Sequence, residues 1–438
     1  MTVPAIKPQQ QISPGSLGEA LVARSGALVT AYYLVIIAAG LLTMIGTVMV
    51  ASSYVFYGLT DPDLYSPGMK NLIQVGFVLG GVGLAWLFSR MIGWFKPNRW
   101  AVMVYLLLAA CCAAQVVAAS KGDCKGGNCN WLSISGKIGV QPSEFLKLAM
   151  ALWLGVVLAA KARQLASWKE LMIPGLLGIG LVVGAVLLGS DTGTAAVLGL
   201  EALGALIIAG VPWRRILVVA SGMMTAGVLA VLAKKTLRDR IAVLFNIDVG
   251  DDKGEGVRWQ VDQALYSLAD GHLTGSGLGN SHEKWGYLTQ SDSDFIFAVI
   301  GDEFGLLGTL IVLLLVALLA FGLFQLVRLH PTRHAQVAIG AIGCWLVGQA
   351  LINMAMVLKL LPVIGVPLPF VSSGGSALVA GWLALGAIAG LIRQDEQVGP
   401  PWRARRKLLR RSAGLFSTTR PPAGVTGTAY RIGKAARP

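Results

Sequence analysis

Apolar and polar positions along this chain separate into long, nearly unbroken apolar runs and short connections marked by charge, glycine or proline. A helix needs about 20 consecutive apolar residues to cross a bilayer. Runs of that order fall at residues 27–52, 71–91, 101–119, 143–160, 172–189, 193–210, 215–233, 295–326, 335–361 and 374–392. The pattern predicts an all-α integral membrane protein of about ten transmembrane helices. One connection is long, residues 234–294 between the seventh and eighth helices. Within it Val257, Val261, Leu265 and Leu268 recur at helical spacing, which predicts a short amphipathic helix lying in the interface. Its apolar face would lie in lipid or on the bundle, with Arg258, Asp262 and Gln263 available to the aqueous side.

Composition strengthens this reading. A length of 438 residues would suit about three soluble domains, but 55% hydrophobic and 13% charged residues fit a membrane domain over 27–392, with tails at 1–26 and 393–438. The net charge of +14 gains meaning from its placement, because cytoplasmic loops collect Lys and Arg. With the N-terminus inside, Arg90, Lys96 and Arg99 share one cytoplasmic loop, Lys161, Arg163 and Lys169 the next, then Arg214 with Arg215, then Arg328 with Arg333. Both termini are then cytoplasmic and the loop 234–294 is extracytoplasmic. The tail carries Arg403, Arg405, Arg406, Lys407, Arg410 and Arg411, which fits either a solvated disordered segment or a contact with anionic lipid. Residues 1–26 are polar and the first apolar run is long enough to stay as an anchor, so no cleaved signal is expected. The charge follows the topology, and no nucleic-acid partner is expected.

Candidate chemistry sits at the predicted outer rim. Cys124 and Cys129 flank KGGN in an outer loop and admit an outer-face disulfide or two free thiols; as half a zinc site they lack a second pair. Glu144 and Lys147 lie one turn apart at the start of the fourth helix, either an interfacial ion pair or a lysine facing a lipid head group. Asp191, in GSDTGT, suits a helix cap. The long loop opens basic (Lys234, Lys235, Arg238, Arg240) and passes an acidic turn (Asp248, Asp251, Asp252, Glu255). Gly275, Gly277 and Gly279 follow without a preceding strand, so they suit a sharp turn or close approach to a substrate rather than a dinucleotide site. Asp302 and Glu303 lie inside the eighth span, where ionisable groups usually face a bundle interior or a cavity. The last outer loop, 361–376, breaks helix with Pro362, Pro367 and Pro369, then opens the tenth helix with Ser372, Ser373, Gly374 and Gly375, either a plain helix start or a set of N–H groups suited to phosphate. Asp294 stands where the long loop enters the eighth helix and on its own would read as an N-cap.

Five ordered stretches together resemble one family, the SEDS proteins (shape, elongation, division and sporulation). They are QPSEFLKL at 141–148, DTGTA at 191–195, WQVDQALYSLADG with TGSGLGNS, SDFIFAVIGDEFGLLG at 293–308, and LPVIGVPLPFVSSGGS at 361–376. The resemblance implies a ten-helix fold and polymerisation of peptidoglycan from lipid II in the bacterial cytoplasmic membrane. It also implies work beside a class B penicillin-binding protein, a single-span transpeptidase, and other divisome or elongasome proteins. It makes Asp294 the catalytic residue. Relatives commonly read LPEAHTDF where this chain has LTQSDSDF, so Thr289, Gln290 and Asp292 replace proline, glutamate and histidine; Asn130 stands where a basic residue often precedes the tryptophan. Roles of those residues are not carried over. The KWGYL run at 284–288 and the long basic tail lean towards the division branch.

In such a reaction the acceptor hydroxyl must lose a proton as it attacks the anomeric carbon with inversion, and one carboxylate can take it. The departing pyrophosphate needs cationic or N–H stabilisation. Lys147, Arg238, Arg240, Arg258 and the start of the tenth helix are candidates, with Glu144, Gln263, Gly277 and Gly279 in the substrate-lining set. A divalent Mg or Mn ion bridging the phosphates is a further candidate with no evident protein ligand set. Asp292, Asp302 and Glu303 are auxiliary candidates, and Asp292 could share a proton with Asp294 only if the chain turns between them. A flippase of the lipid-linked precursor and a non-catalytic scaffold for a cell-wall synthase are the rival readings.

Overall fold

The computed structural model describes residues 14–60, 67–94, 97–125, 128–134, 138–247, 256–281, 288 and 290–394. The acidic turn 248–255, most of the KWGYL run and the basic tail from Arg403 lie outside the described residues.

Helices α1 (Pro14–Thr60), α2 (Pro67–Trp94) and α3 (Pro97–Lys121) come first. A small sheet follows, β1 (Asp123–Lys125), β2 (Asn128–Ile134) and β3 (Ile138–Val140), then α4 (Pro142–Ala160). Next are α5 (Trp168–Leu188), α6 (Thr192–Ile208) and α7 (Trp213–Ala233). The long connection contains α8 (Lys235–Leu244) and α9 (Val257–Asp270), and the chain ends with α10 (Ile296–Leu329), α11 (Arg333–Val357) and α12 (Gly375–Gln394). Pro14, Pro67, Pro97 and Pro142 each open a helix, where the missing N–H has no intrahelical partner to lose. Nine of these helices are long and apolar enough to cross a membrane, and α6, with 17 residues, is the shorter tenth. That length is near the lower limit for a span, about 17 residues. The protein is a multi-pass membrane protein.

Three local features differ from the sequence reading. Helix α1 begins at Pro14 and takes in half of the predicted N-terminal tail, since an established helix propagates at little cost. Helix α5 contains a wide turn over Leu171–Leu176 around Pro174, whose ring removes an interior hydrogen bond. The connection after α3 is a three-stranded antiparallel sheet rather than an irregular loop. Cys124 faces Cys129 across β1 and β2, and the two are disulfide-bonded. Asn130 on β2 is buried and accepts from the Gln115 amide at 3.0 Å, so it ties the sheet to α3.

Helices α4 and α12 are the most enclosed, with 78% and 83% of their membrane windows buried, whereas α7, at 6%, is peripheral. Helix α12 packs along α2 and α4, α1 along α10, and α11 between α4 and α6. Lipid supplies little hydrophobic drive for such pairs, so close packing must hold them. A Cβ at Gly386 would lie 2.4 Å from the Ala85 carbonyl, which shows how nearly α12 and α2 touch.

Helix α9 forms where its periodicity predicted and docks its apolar face on the bundle at α10, while Arg258 and Asp262 keep side chains 40% and 34% exposed. Val261, Gln263, Ala264 and Ser267 are its buried face, and Leu268 fills the space over Gly301. Gln263 is therefore an interior residue. Beyond α9 the glycine run inserts into a break in α10 at Gly305, whose φ of 66° and ψ of −162° are not helical. The orphaned N–H groups of Leu306 and Leu307 donate to the carbonyls of His272 and Leu273 at 3.0 and 3.2 Å. In return, Ser276 and Gly277 donate their N–H groups to the carbonyls of Asp302 and Glu303 at 2.8 and 3.1 Å. Gly275, at φ 83°, passes so near that a Cβ would stand 2.1 Å from the Glu303 carbonyl. The close approach predicted for these glycines is to α10.

Candidate active site

The lead-in to α10 is a tight turn. Gln290 adopts a left-handed φ of 61°, and its carbonyl receives the N–H groups of Ser293 and Phe295 at 3.1 and 3.2 Å. Phe295 is the residue that caps α10, without a side-chain bond, so Asp294 is not the N-cap that its position suggests. The Asp294 carboxylate accepts no hydrogen bond from the described residues. Its backbone carbonyl accepts from the buried Asn353 amide at 2.8 Å, and the same amide donates to the Val366 carbonyl at 2.7 Å. Gly365 leaves room beside the acid, since a Cβ there would lie 3.4 Å from Asp294 Oδ2.

The last outer loop is fastened to this turn. Ser373 donates its N–H to the Asp292 carbonyl at 3.0 Å and its hydroxyl to the Asp292 carboxylate at 2.7 Å. Tyr54 of α1 donates to that carboxylate at 3.1 Å. Ser372 donates to the Ser293 carbonyl and accepts from the Leu368 N–H, both at 2.8 Å. Ser372 and Ser373 thus position the turn. Gly374 precedes α12, and Gly375 opens it against Phe77, whose ring a Cβ would approach to 2.5 Å.

Burial pushes the Asp294 carboxyl up to about 6, and the Asp292 charge adds to this; Arg240 opposes it, and Asp191 raises it further. The chain does turn between Asp292 and Asp294, so the two carboxylates interact, contrary to a helical or extended geometry. Burial lowers the pKa of Arg240, on α8, and the Asp294 charge raises it, so the two groups interact electrostatically. Asp191 caps α6 through the Thr194 N–H and hydroxyl at 2.8 and 2.7 Å and accepts from Gln141 at 3.3 Å. It belongs to the same electrostatic neighbourhood, which the capping reading alone did not include.

Other predicted residues lie elsewhere. Glu144 and Lys147 form the ion pair that their spacing offered, at 2.8 Å, but buried at 2% and 1% exposed, so Lys147 does not face a lipid head group. Lys147 also donates to Gln349 at 2.8 Å and sits 5.2 Å over the Trp345 ring. Gln349 in turn donates to the Pro367 carbonyl at 2.8 Å, so the pair supports the last outer loop from beneath. Arg258 is 3.8 Å from Asp262, which also accepts from Lys359 at 3.2 Å; Arg238 is exposed on α8. Asp302 accepts from the Ser276 hydroxyl at 3.2 Å and Glu303 from Ser52 at 2.7 Å, tying the α10 break to the glycine run and to α1. Gly277 takes part in that docking, and a Cβ at Gly279 would meet no atom within 4 Å among the described residues. Among the described residues no group of three His, Cys, Asp or Glu side chains could hold a metal ion.

The sequence reading missed Asn353, Tyr54 and Gly365. An Asn in an apolar span was the available signal, because a buried amide there needs partners.

Residues 32–397 match the family model of FtsW, RodA and SpoVE, described as "Cell cycle protein". A Mycobacterium tuberculosis protein named "Probable peptidoglycan glycosyltransferase FtsW" is 31% identical over 384 residues, covering 87% of this chain and 71% of its own. The Stage V sporulation protein E of Bacillus subtilis is 30% identical over 365 residues, covering 82% and 96%. Among solved structures, the Thermus thermophilus rod shape determining protein RodA superposes with a TM-score of 0.57 at 23% identity, covering 82% of this chain and 96% of its own. A chain of a peptidoglycan synthase complex gives 0.61 at 24%, covering 81% and 97%.

Proposed function

Because the chain belongs to the FtsW, RodA and SpoVE cell cycle family, we propose that it is a peptidoglycan glycosyltransferase that polymerises lipid II, with Asp294 as general base. The observation that carries the assignment is a carboxylate raised to about 6 by burial and by Asp292, without a hydrogen-bond donor among the described residues, beside the space left by Gly365. It is poised to accept a proton near neutral pH.

The acceptor sugar hydroxyl attacks the anomeric carbon of the lipid-linked donor from the face opposite the pyrophosphate. The new C–O bond forms as the bond to phosphate breaks, the hydroxyl proton passes to Asp294, and the polyprenyl pyrophosphate leaves with the electron pair. That leaving group is a weak base and needs charge stabilisation rather than a strong acid. Arg240 is the cation assigned to it, since its charge interacts with that of Asp294. Lys147 and Arg258 act locally, the first inside the bundle and the second beside Asp262. Among the described residues no three His, Cys, Asp or Glu side chains gather as a metal site, and chelation followed by Mg or Mn addition tests whether the reaction needs a divalent ion.

The positive-inside distribution supports cytoplasmic termini and an outer-face Asp294. A class B penicillin-binding protein is the proposed partner. The deciding experiment is reconstitution with purified lipid II, comparing wild type with Asp294→Asn, with and without that partner. Glycan strands from wild type alone support the assignment. Equal polymer from both would remove Asp294 as the base, and lipid scrambling without polymer would favour a flippase.

A further inference from the structure

Glu201 is completely buried near the middle of α6, and neither of its carboxylate oxygens has a hydrogen-bond partner among the described residues. An ionisable group at that depth is costly and usually serves a function. It lies outside every stretch that carries the family resemblance. We propose that Glu201 is a positioning residue for Asp294: it is a second seat for the Lys147 ammonium, shared with Glu144, and the seat the lysine takes sets how firmly the last outer loop is held. The proposal rests on the polymerase reading only for its effect on rate.

Helix register brings the three groups together. Helix α6 lies against α11 with Leu200 over Gly348, Gly204 over Cys344 and Ile208 over Gly340; a Cβ on each glycine would come within 2.2, 2.1 and 2.0 Å of the facing side chain. Glu201 is therefore level with residues 344–348 of α11. There Trp345 donates to Gln349 at 2.9 Å and has Lys147 over its ring. The charges of Glu201 and Lys147 interact. An ammonium has three donors, and Lys147 uses two of them, on Glu144 and Gln349, both at 2.8 Å. The second oxygen of Glu144 is, like Glu201, without a partner among the described residues. Besides these three groups, α4, α6 and α11 carry only Arg333 and His334, at the start of α11. Of the helices packed on them, α3, α5, α7 and α12 are charged only near their ends, and Asp302 and Glu303 of α10 are engaged by Ser276 and Ser52.

One lysine balances one ionised carboxylate, so the other carboxyl carries a proton. When the ammonium crosses from Glu144 to Glu201, the proton passes the other way, from Glu201 to Glu144, and the buried charge stays constant. On Glu144 the lysine fixes the Gln349 side-chain carbonyl, which aims the amide hydrogens at the Pro367 carbonyl, 2.8 Å away. On Glu201 it releases Gln349, and the loop that carries Gly365 beside the Asp294 carboxylate loses its fixed support. A loop held for transfer and loosened between transfers suits an enzyme that must admit a donor and move its product at every turnover.

The test uses the full chain in nanodiscs, with backbone hydrogen exchange over residues 361–371 read by mass spectrometry and lipid II polymerisation measured alongside. A glutamine mimics a protonated carboxyl, so each variant fixes one seat. Glu201→Gln should keep the lysine on Glu144, slowing exchange over the loop and lowering kcat, each by about tenfold, with little change in KM. Glu144→Gln should send the lysine to Glu201 and quicken exchange. Shifts in opposite directions cannot come from lost packing alone. Thermal melting checks folding; should Glu144→Gln fail to fold, Glu201→Gln decides, and Glu201→Met, neutral and of similar length, must reproduce it. Loop exchange that is unchanged in Glu201→Gln, or shifted the same way in both variants, overturns the proposal. So does an unchanged kcat with the loop slowed. Exchange is read without substrate, so a wild type that makes no polymer would refute the polymerase reading and leave this measurement decisive.

Discussion

The side-chain amide of Asn353 holds the backbone of Asp294, donating to its carbonyl at 2.8 Å from the middle of the bundle. Through its second hydrogen, the amide holds Val366 at 2.7 Å, so one residue sets the spacing between the turn and the last outer loop. Asn353→Leu keeps the volume but strips two buried carbonyls of their donor, at a cost of about 2–4 kcal/mol. A displacement of the acid by an ångström can cost about 100-fold in rate. Polymerisation of lipid II by this variant should fall by that order while lipid II binding changes less. A normal rate would mean that the turn keeps its shape unaided.

The raised carboxyl of Asp294 makes activity and stability depend on pH in opposite senses. As the proposed general base Asp294 works only when ionised, so the rate should climb as pH rises through about 6. The folded state holds this proton more tightly than the unfolded chain, so between the ordinary 3.8 and about 6 stability falls as pH rises. Asp294→Asn removes the ionisation penalty and should be more stable than wild type by about 3 kcal/mol at pH 7.5. Near pH 4 the difference should vanish. Identical melting temperatures at pH 7.5 would contradict the burial described for this carboxylate.

Charges on either side of Asp294 should move the acidic limb of the pH–rate profile in opposite directions. Asp292→Asn removes a neighbouring negative charge and should shift the limb to lower pH. Arg240→Gln removes the opposing cation and should shift it upwards, with a separate loss of kcat if the arginine also steadies the pyrophosphate. A limb that stays fixed in both variants would assign the titration to another group.

Two glycines in one run should respond differently to a methyl group. Gly275→Ala drives its Cβ into the Glu303 carbonyl and should prevent the glycine run from docking, with a large fall in melting temperature. Gly279 has the same left-handed backbone, φ 86°, but no neighbour within 4 Å of its Cβ position among the described residues. Gly279→Ala should cost only about 1–2 kcal/mol of backbone strain. An equal fall in melting temperature would contradict the difference in surroundings, whereas lost substrate affinity at unchanged stability would assign Gly279 to substrate, as the sequence reading allowed.

The helices were legible because the apolar runs are long and regular, and α9 because Val257, Val261 and Leu268 repeat with the helical period. Periodicity could not say which face of α9 meets the bundle, so Gln263 was assigned to water. The Glu144–Lys147 pair shows the same limit. Spacing along one helix gave the pairing, but its depth depends on Gln349 and Trp345 of α11, about two hundred residues away in sequence. The Cys124–Cys129 bond required β1 and β2 to pair, and the stretch shows little strand alternation. The carboxylate neighbourhood of Asp294 depended on a left-handed Gln290, a conformation that side chain does not announce.

The exchange of hydrogen bonds between residues 272–277 and the break at Gly305 has an evolutionary consequence. Each stretch supplies donors and acceptors that the other has given up, so neither can be replaced alone by an uninterrupted helix or a free loop. Substitutions in the two stretches should be inherited as compatible pairs. A chimaera carrying one of them from a distant relative should recover only when the other is transplanted with it.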